Sequence, residues 1–560
     1  MDFDVESLAA AFPYLIVESR RMDSTGTYYK LRVPQLPFGR EFAGAELCLP
    51  KGFPERQKAR IRLSADAILR IPHVEGGGGL CIDGDPGPGR GRSALERLQT
   101  LLDSYHHDFI EPWKHGNLDG DFLAEAQNYW ALEINRCRSG DDPALSVWTV
   151  DSAPLRPRVI EGVLLLPSRI VIAADKGTGV VHRLIHSLGP RATQHVRVLF
   201  ADIPLSYGFV PDTWPKDEQS LKRLLDLRLK DHQRQVFLQP IRKRQPRVHR
   251  IVVFRSPQGN FAFLMPGGPP TTVREGKRVR ARPPRLQPLP LLVERVDPDW
   301  TVGRDQYPQV STRQRARVLV FGAGALGSPV IEHLARAGVG HITVVDYDDL
   351  EAANVGRHLL GLDSLHQQKS DAVVDRVGRS HPSCDIRSAR TSAEKWLQSN
   401  SLEKFDVVVD LTGDPDVRWV VDQARRAFPR PLLIGWMEPF VAAAHVCTLP
   451  AGTFWIADVD NPHDRMGALE AVTWPAEVIR QEPGCSSRFQ AYTAVQAAYA
   501  VALVAEHAIK LIDGKQPEPV VHSWVRGQSF LDEHWSALRL QPWAAAAEQH
   551  DGLLIKRSFT

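Results

Sequence analysis

Three glycines spaced as GxGxxG, namely Gly322, Gly324 and Gly327, follow the apolar run VLVF and precede an amphipathic stretch. Glycines in this context allow a tight turn and bring backbone N–H groups close to a phosphate at the start of a helix. Asp346 ends the next strand-like run, where its carboxylate can accept hydrogen bonds from a ribose. The pattern predicts a nucleotide site, and by itself it points to NAD.

The polar residues that come next favour ATP. Asn354 and Arg357 lie in LEAANVGRH, just beyond Asp346, and Lys369 follows in the next segment. A dehydrogenase does not need amide, guanidinium and ammonium groups beside a phosphate loop, whereas an adenylating enzyme must offset charge on the triphosphate and on the leaving pyrophosphate. Any one of the three alone is typical of a polar surface, so the prediction of ATP depends on the set.

This region resembles the ubiquitin-activating enzyme superfamily, whose ThiF-like members include bacterial proteins that activate sulfur carriers. The resemblance implies that Asp346 holds the ribose and that Asn354, Arg357 and Lys369 hold phosphates. It extends to the C-terminus, and the family pattern of GxGxxG, DxD, NxxR and Lys is met by Gly322, Gly324, Gly327, Asp346, Asp348, Asn354, Arg357 and Lys369.

The same family places an aspartate that binds Mg²⁺ after the fourth strand. The local sequence here is VVDLTGDPD, so the resemblance makes Asp414 the candidate metal ligand, displaced by one position from the usual place. Asp410 and Asp416 lie close by as alternatives. His358 stands where many members have Gln, and the zinc-binding CxxC pairs of the sulfur-carrier enzymes are absent from the sequence.

Six scattered cysteines without a CxxC pair argue against a disulfide framework and against an all-cysteine zinc site. Cys485 lies in EPGCSSRFQAYTAV, just before a long apolar run, where a helix start would favour the thiolate. With an adenylation site upstream, Cys485 is predicted to take the acyl group from the adenylate. The alternative is a buried cysteine that flanks a helix. Most of the other cysteines are interpreted as small buried apolar residues: Cys447 lies in the strand-like AAAHVCTLP, and Cys384 follows a probable helix end and has no obvious activator.

Cys81 follows RIPHVEGGGGL, with His73 eight residues upstream and four glycines between them. Acyl transfer needs a thiolate and a donor that stabilises an oxyanion, and a flexible turn could fold His73 back over Cys81. The alternative is a surface glycine loop with an incidental cysteine. Glu75 and His107 are conceivable acid–base helpers.

Residues 1–140 resemble ubiquitin-conjugating enzymes, more so their divergent prokaryotic branch. The resemblance rests on the order helix, antiparallel strands, cysteine loop and helices, on the FP of KGFP, and on the spacing of His73 and Cys81. The family's His-Pro-Asn is absent, and by count His73 sits where the oxyanion-stabilising Asn would be. A second acyl acceptor, Cys81, is therefore expected.

At 560 residues the chain is too long for one core. The predicted fold class is multidomain α/β, in three parts. Residues 1–140 form an α+β ubiquitin-conjugating-like domain, residues 145–300 a central α/β linker or inactive adenylation-like domain, and residues 301–560 a Rossmann-like ThiF adenylation domain. The Pro-, Gly- and Arg-rich stretch 266–288 is interpreted as a linker.

A formal charge of +3 gives no reason to expect a nucleic-acid or membrane partner. The acidic, amphipathic start lacks the basic and apolar regions of a secretion signal, and no apolar run approaches the roughly 18–20 residues that a bilayer span needs. A cytoplasmic protein is expected.

Taken together, the parts resemble the ubiquitin-activating/conjugating fusion proteins of bacterial antiphage (CBASS) operons built around cyclic-oligonucleotide signalling. That resemblance implies a homodimer that uses ATP and Mg²⁺, the C-terminus of a cGAS-like nucleotidyltransferase as substrate, and an amine on a target protein or small molecule as acceptor. Two alternatives stay open. One is a sulfur-carrier adenylyltransferase without conjugation, and the other is a non-enzymatic nucleotide-binding scaffold.

Overall fold

The computed structural model describes residues 9–12, 15–138, 145–175, 177–238, 248–267, 271–275, 278–282, 287–460, 462–475, 480–481, 488–489, 492–534 and 537–559. The chain divides into two compact units. The first comprises residues 1–149, 153–175 and 194–294, and the second comprises residues 150–152, 176–193 and 295–560. The predicted separation of residues 1–140 from a central domain stays a prediction, because residues 1–140 and most of residues 145–300 lie in the first unit.

The first unit begins with a four-stranded antiparallel sheet in the order β1-β2-β3-β4. Alternate residues of β3 are buried, as expected for a sheet with one face on a core. The strand-like runs predicted from the sequence are confirmed here. The strands are β1 Leu15–Met22, β2 Gly26–Leu31, β3 Ala45–Pro50 and β4 Arg60–Leu63. The helices that follow them are Ala94–Ser104, Glu111–His115, Asp121–Ala124 and Ala126–Cys137.

The rest of the first unit is a closed barrel in the order β10-β13-β5-β7-β6-β8-β9. Its strands are β5 Ser146–Thr149, β6 Arg158–Pro167, β7 Ile170–Ile172, β8 Ala192–Pro204, β9 His249–Ser256, β10 Gly259–Leu264 and β13 Leu289–Arg295. The helices of this part are Glu218–Arg228 and Asp231–Leu238. The stretch predicted as a linker contains an antiparallel hairpin, β11 Thr271–Glu275 with β12 Arg278–Arg282. The strand propensity of the Thr and Val residues in the hairpin outweighs the effect of the flanking prolines.

The second unit is built on an eight-stranded sheet in the order β16-β15-β14-β17-β18-β19-β22-β23. The first five are parallel and the last three add antiparallel pairs. The strands are β14 Arg317–Phe321, β15 His341–Val345, β16 Asp385–Ala389, β17 Val407–Asp410, β18 Leu432–Met437, β19 Ala443–Leu449, β22 Val520–Val525 and β23 Leu553–Ser558. A short pair, β20 Arg480–Gln481 and β21 Arg488–Phe489, forms a separate sheet.

The helices of the second unit are Gly179–Leu188, Pro298–Thr301, Gln309–Arg315, Gly327–Arg336, Lys369–Ser380, Ala393–Ser399, Pro415–Ala427, Met466–Leu469, Ala494–Ile512 and Gln528–His534. The parallel strands run in the order third, second, first, fourth, fifth, which is the doubly wound arrangement. Every residue of β17 is buried, as expected for a strand covered on both faces. In such sheets ligands bind where the strand order reverses, here between the carboxyl ends of β14 and β17.

The helix Ala494–Ile512 is long and apolar enough to cross a membrane by length and composition alone, among the described residues. Half of it is buried inside the second unit, where Ala500, Val504 and Ala508 pack in the main core cluster. These properties fit a core helix that covers the sheet. The helix begins at Ala494 because Thr493 and Gln496 form a capping box there.

Candidate active site

The glycine turn lies at the predicted position, between β14 and the helix Gly327–Arg336. Gly322 has a φ of +91°, which side chains other than glycine rarely adopt. A Cβ on Gly327 would lie 2.0 Å from the carbonyl oxygen of Gly322, so only glycine lets the helix begin this close to the strand. Nothing lies within 4 Å of the Cβ position of Gly324. The first and third glycines therefore shape the turn, and the second leaves open space beside it.

Asp346 follows β15 and holds the glycine turn as well as facing the site. Its carboxylate accepts hydrogen bonds from the N–H groups of Ala323, at 2.7 Å, and Asp348, at 2.8 Å. Burial raises the pKa of Asp346 above its ordinary value, and the two N–H donors oppose that rise. The residue predicted to bind ribose is thus also a fixed part of the turn.

Lys369 and Asp348 are brought together beside the turn. The Lys369 Nζ donates to the Asp348 carboxylate at 3.0 Å, and the Lys369 backbone N–H donates to the Asp348 carbonyl oxygen at 2.8 Å. Lys369 opens the helix Lys369–Ser380, so a buried helix start presents an ammonium group at the same edge of the sheet as Asp346. Such a group can bind a phosphate.

Asn354 and Arg357 lie in the short helical turn Ala352–Arg357. The Asn354 side-chain oxygen accepts the Glu351 N–H at 3.1 Å, which fixes its orientation. The Arg357 guanidinium lies over the ring of Tyr492, with its carbon 5.2 Å from the ring centre. No pattern in the sequence pointed to Tyr492, because stacking on a distant aromatic residue depends on the tertiary fold.

The three aspartates after β17 occupy different environments. Asp410 is fully buried, and one carboxylate oxygen accepts both the N–H and the O–H of Thr412. Burial raises the pKa of Asp410. Asp414 and Asp416 are exposed, and Asp414 caps the helix Pro415–Ala427 by accepting the Asp416 N–H. The second carboxylate oxygen of Asp410 is buried without a hydrogen-bond partner among the described residues, whereas Asp414 is open to solvent, which makes Asp414 the more accessible Mg²⁺ ligand.

His358 makes a contact with the glycine turn that the sequence did not predict. Its ring is half-buried and its Nε2 lies 2.6 Å from the carbonyl oxygen of Ala323, in the glycine turn. The predicted nucleotide residues therefore surround the carboxyl ends of β14 and β15. They are Gly322 to Gly327, Asp346, Asp348, Asn354 to Arg357 and Lys369. The site combines a glycine turn, a carboxylate and two cationic side chains.

The second predicted site, around Cys81, lies in the first unit. Cys81 is exposed, and its backbone N–H donates to the His73 carbonyl oxygen at 2.8 Å, while Val74 and Leu80 form an antiparallel bridge. The four glycines are the tip of this hairpin. The backbone of His73 is left-handed, with a φ of 63°. The hairpin brings His73 next to Cys81, as the sequence predicted.

A network not predicted from the sequence holds the His73 ring. Its Nε2 lies 2.9 Å from an Asp121 carboxylate oxygen and its Nδ1 lies 3.6 Å from Glu125. The Tyr129 hydroxyl accepts the His73 N–H at 2.8 Å and donates to Glu125 at 3.1 Å. Asp121, Glu125 and Tyr129 recur every four residues across the junction of the helices Asp121–Ala124 and Ala126–Cys137, and that spacing is the signal that could have identified them.

The thiol of Cys81 is not activated in this setting. Partial burial and the nearby charges of Glu75 and Glu125 raise its pKa above the ordinary value. Glu75, one of the two helper residues suggested by the sequence, therefore opposes formation of the Cys81 thiolate through its negative charge. His107 is exposed and lies on the π-helical turn Tyr105–Ile110. Cys384 and Cys447 are buried core residues, as predicted. Cys485 lies outside the described residues.

The turn, the strand order and the polar residues around them agree with the predicted adenylation fold. Residues 306–545 match the model of the ThiF family. This confirms the ThiF-like fold expected for the C-terminal region, and the boundary at 306 lies near the predicted start at 301. The ubiquitin-conjugating-like fold of residues 1–140 stays a prediction.

Curated relatives extend the ThiF match. The ATP-dependent ubiquitin transferase-like protein Cap2 of Pseudomonas aeruginosa is 25% identical over 272 residues, covering 47% of this chain and 49% of Cap2. The adenylyltransferase and sulfurtransferase UBA4 of Yarrowia lipolytica is 35% identical over 106 residues, covering 19% of this chain and 27% of UBA4. The chain thus spans about half or less of these relatives.

Among solved structures, Escherichia coli MccB with ATP is 16% identical, covers 41% of this chain and 64% of MccB, and has a TM-score of 0.31.

Proposed function

We propose that this ThiF-domain protein uses Mg-ATP to adenylate the C-terminus of another protein. It then passes the acyl group from Cys485 to Cys81 and joins it to an amine. The observation that carries the proposal is the gathering of Asp346, Arg357 and Lys369 around the glycine turn, in a region that matches the ThiF family. The relative named an ATP-dependent ubiquitin transferase-like protein supports transfer to an amine rather than adenylation alone.

The adenylation step follows from the groups at the site. The substrate carboxylate attacks the α-phosphorus of ATP, forming an acyl adenylate and releasing pyrophosphate. Lys369 and Arg357 offset the negative charge that builds on the phosphates, and Asp346 holds the ribose. Asp414 would hold Mg²⁺, whose positive charge would lower the cost of bringing two anions together.

The transfer steps need two thiols. The Cys485 thiolate displaces AMP to form a thioester, and the Cys81 thiolate then displaces Cys485 to form a second thioester. An amine attacks that carbonyl carbon, the C–S bond breaks, and the Cys81 sulfur leaves as the amine loses a proton. A thiol with a raised pKa is a poorer leaving group, so His73 has a role in stabilising the oxyanion that precedes C–S cleavage.

The proposed substrate is the C-terminus of a cGAS-like nucleotidyltransferase, and the acceptor is an amine on a protein or small molecule in a bacterial antiphage setting. A homodimer is the expected assembly. A second candidate is favoured by the similarity to UBA4, an adenylyltransferase and sulfurtransferase. In that case the protein would adenylate a sulfur carrier, and neither Cys81 nor residues 1–140 would be needed.

The experiment mixes the purified full chain with the candidate nucleotidyltransferase encoded beside its gene and with Mg-ATP, and resolves the products on non-reducing gels. Wild type is compared with Cys485→Ala and Cys81→Ala. The proposal expects no thiol-sensitive adduct with Cys485→Ala, and with Cys81→Ala an adduct that never reaches the amine. Buried Cys447→Ala is the matched control for the loss of a thiol.

Pyrophosphate exchange in all three proteins, with no adduct that depends on either cysteine, would favour adenylation without conjugation. Absence of exchange in the wild type with tight nucleotide binding would favour the scaffold alternative.

A further inference from the structure

The segment that follows Arg357 contacts the glycine turn at two points. The His358 Nε2 lies 2.6 Å from the carbonyl oxygen of Ala323, and the Leu359 N–H donates to the Ser328 hydroxyl at 3.2 Å. Ser328 is fully buried in the first turn of the helix Gly327–Arg336. The phosphate-binding segment and the glycine turn are therefore tied together side by side.

The hydrogen bonds of His358 define its tautomer. The Leu360 N–H donates to Nδ1 at 3.1 Å, so Nδ1 is an acceptor without a proton. The carbonyl oxygen of Ala323 can only accept, so Nε2 carries the proton and donates. Burial lowers the pKa of His358 to about 4, and the charge of Lys369 adds to that effect. The ring is neutral at physiological pH, as this pair of bonds requires.

Ala323 is held from both sides. Its N–H donates to Asp346 at 2.7 Å, and its carbonyl oxygen accepts from His358. A trans peptide is planar, and its C=O and N–H groups point in opposite directions. Holding the carbonyl oxygen of Ala323 against His358 therefore aims the N–H of Gly324 away from His358. If that peptide rotated, a carbonyl oxygen would replace the N–H at the turn and would repel a phosphate.

We propose that His358 is a positioning residue, which fixes the peptide between Ala323 and Gly324 so that the Gly324 N–H faces an ATP phosphate. The side chain does not touch the reacting atoms. It acts through the turn, and through residue 358 the turn is coupled to Asn354 and Arg357, which lie a few residues before it. This inference rests on the proposed use of ATP at this site.

Three substitutions of His358 test its hydrogen bonds to Ala323 and to Leu360 separately. In His358→Gln the amide nitrogen can reach the place of Nε2 and donate to Ala323. In His358→Asn the side-chain oxygen can take the place of Nδ1 and accept from Leu360, but nothing reaches Ala323. His358→Leu fills the space and makes neither bond. His341→Leu is the matched control, since His341 is 45% exposed at the opposite end of β15.

The measurements are direct titration of each full-length variant with ATP, the KM for ATP and the kcat of pyrophosphate exchange, and the melting temperature. We expect Asn and Leu to weaken ATP binding and raise KM by about tenfold, the scale of one lost hydrogen bond to a positioned group. We expect Gln to stay within about threefold of wild type on the same scale, and kcat to change less than KM.

Two results would overturn the inference. One is an unchanged ATP affinity in the Asn and Leu variants, even with a lower melting temperature, because the ring would then be structural only. The other is a Gln variant as weak as Leu. Wild type that binds ATP without exchanging pyrophosphate would refute the proposed function while the affinity ratios still decide the role of His358. Wild type that does not bind ATP would refute both.

Discussion

The Nζ of Lys369 donates to the Asp348 carboxylate at 3.0 Å, and of the two side chains only that of Asp348 is open to solvent, at 50% against 11% for Lys369. The ammonium group is thus held at the mouth of the site with one anionic partner on its exposed side. A phosphate arriving from solvent meets a lysine that is already oriented. The ion pair with Asp348 therefore keeps the Lys369 ammonium group in a position where a nucleotide can bind it.

We expect Lys369→Met to lower kcat/KM for pyrophosphate exchange by about a hundredfold, because one positioned positive donor to the phosphates is lost. The measurement is exchange of labelled pyrophosphate into ATP at saturating protein substrate. Lys395→Met, on the exposed face of the helix Ala393–Ser399, is the matched control and should leave the rate unchanged. A Lys369→Met protein with the wild-type rate would remove Lys369 from the site.

Asp414 and Asp410 can be separated by their Mg²⁺ dependence. We expect Asp414→Asn to raise the Mg²⁺ concentration that gives half-maximal exchange by about tenfold, since a carboxylate ligand is lost. Asn caps a helix as well as Asp, so the cap on Pro415–Ala427 is kept. Asp410→Asn still accepts both Thr412 bonds and should leave the Mg²⁺ requirement unchanged. The opposite ranking would make Asp410 the ligand.

Much of the nucleotide site could be predicted because its residues follow parallel strands. Gly322 comes directly after β14, and Asp346 directly after β15. The carboxyl ends of neighbouring parallel strands meet at one edge of a sheet, so chain order alone gathers these residues. Lys369, which opens a helix, lies at the same edge through its hydrogen bonds to Asp348.

The contacts between loops could not be predicted in this way. His358 and Ala323 are 35 residues apart, and their hydrogen bond depends on how two irregular segments pack. The stacking of Arg357 on Tyr492 depends on the start of the helix Ala494–Ile512, which lies outside the parallel part of the fold. Periodicity describes single elements, and it carries no information on which loops meet.

The thiol of Cys81 gives a prediction that depends on pH. Its pKa is raised by burial and by Glu75 and Glu125, so at pH 8 it is mostly the neutral thiol. Removing one negative charge lowers that pKa and increases the thiolate fraction. We therefore expect Glu125→Gln to speed the alkylation of Cys81 by iodoacetamide at pH 8 by a few-fold.

The measurement is the rate of modification of the Cys81 peptide by mass spectrometry between pH 7 and 10. Exposed Cys137 in the same digest is the internal control, and its rate should not respond to the substitution. If Glu125→Gln slows the alkylation of Cys81, the carboxylate does not oppose the thiolate, and Glu125 has another role.

We expect His73 to serve the discharge of the proposed Cys81 thioester rather than its formation. Its Nε2 donates to Asp121, since a carboxylate can only accept, so the ring must give up this bond to donate to an oxyanion at Cys81. We expect His73→Ala to load Cys81 at the wild-type rate and to slow its discharge to an amine by about a hundredfold, the scale for loss of a positioned oxyanion donor.

The left-handed backbone at residue 73 makes Asn the informative second variant. Asn tolerates a positive φ better than Ala, and its amide can donate a hydrogen bond, so His73→Asn should recover part of the discharge rate. The measurement is single-turnover discharge of preloaded thioester to free lysine, after ATP is removed. His115→Ala is the control at an exposed histidine in the same unit, and should discharge normally. Slow loading with normal discharge in His73→Ala would instead assign the His73 ring to the hairpin's stability, through its bond to Asp121.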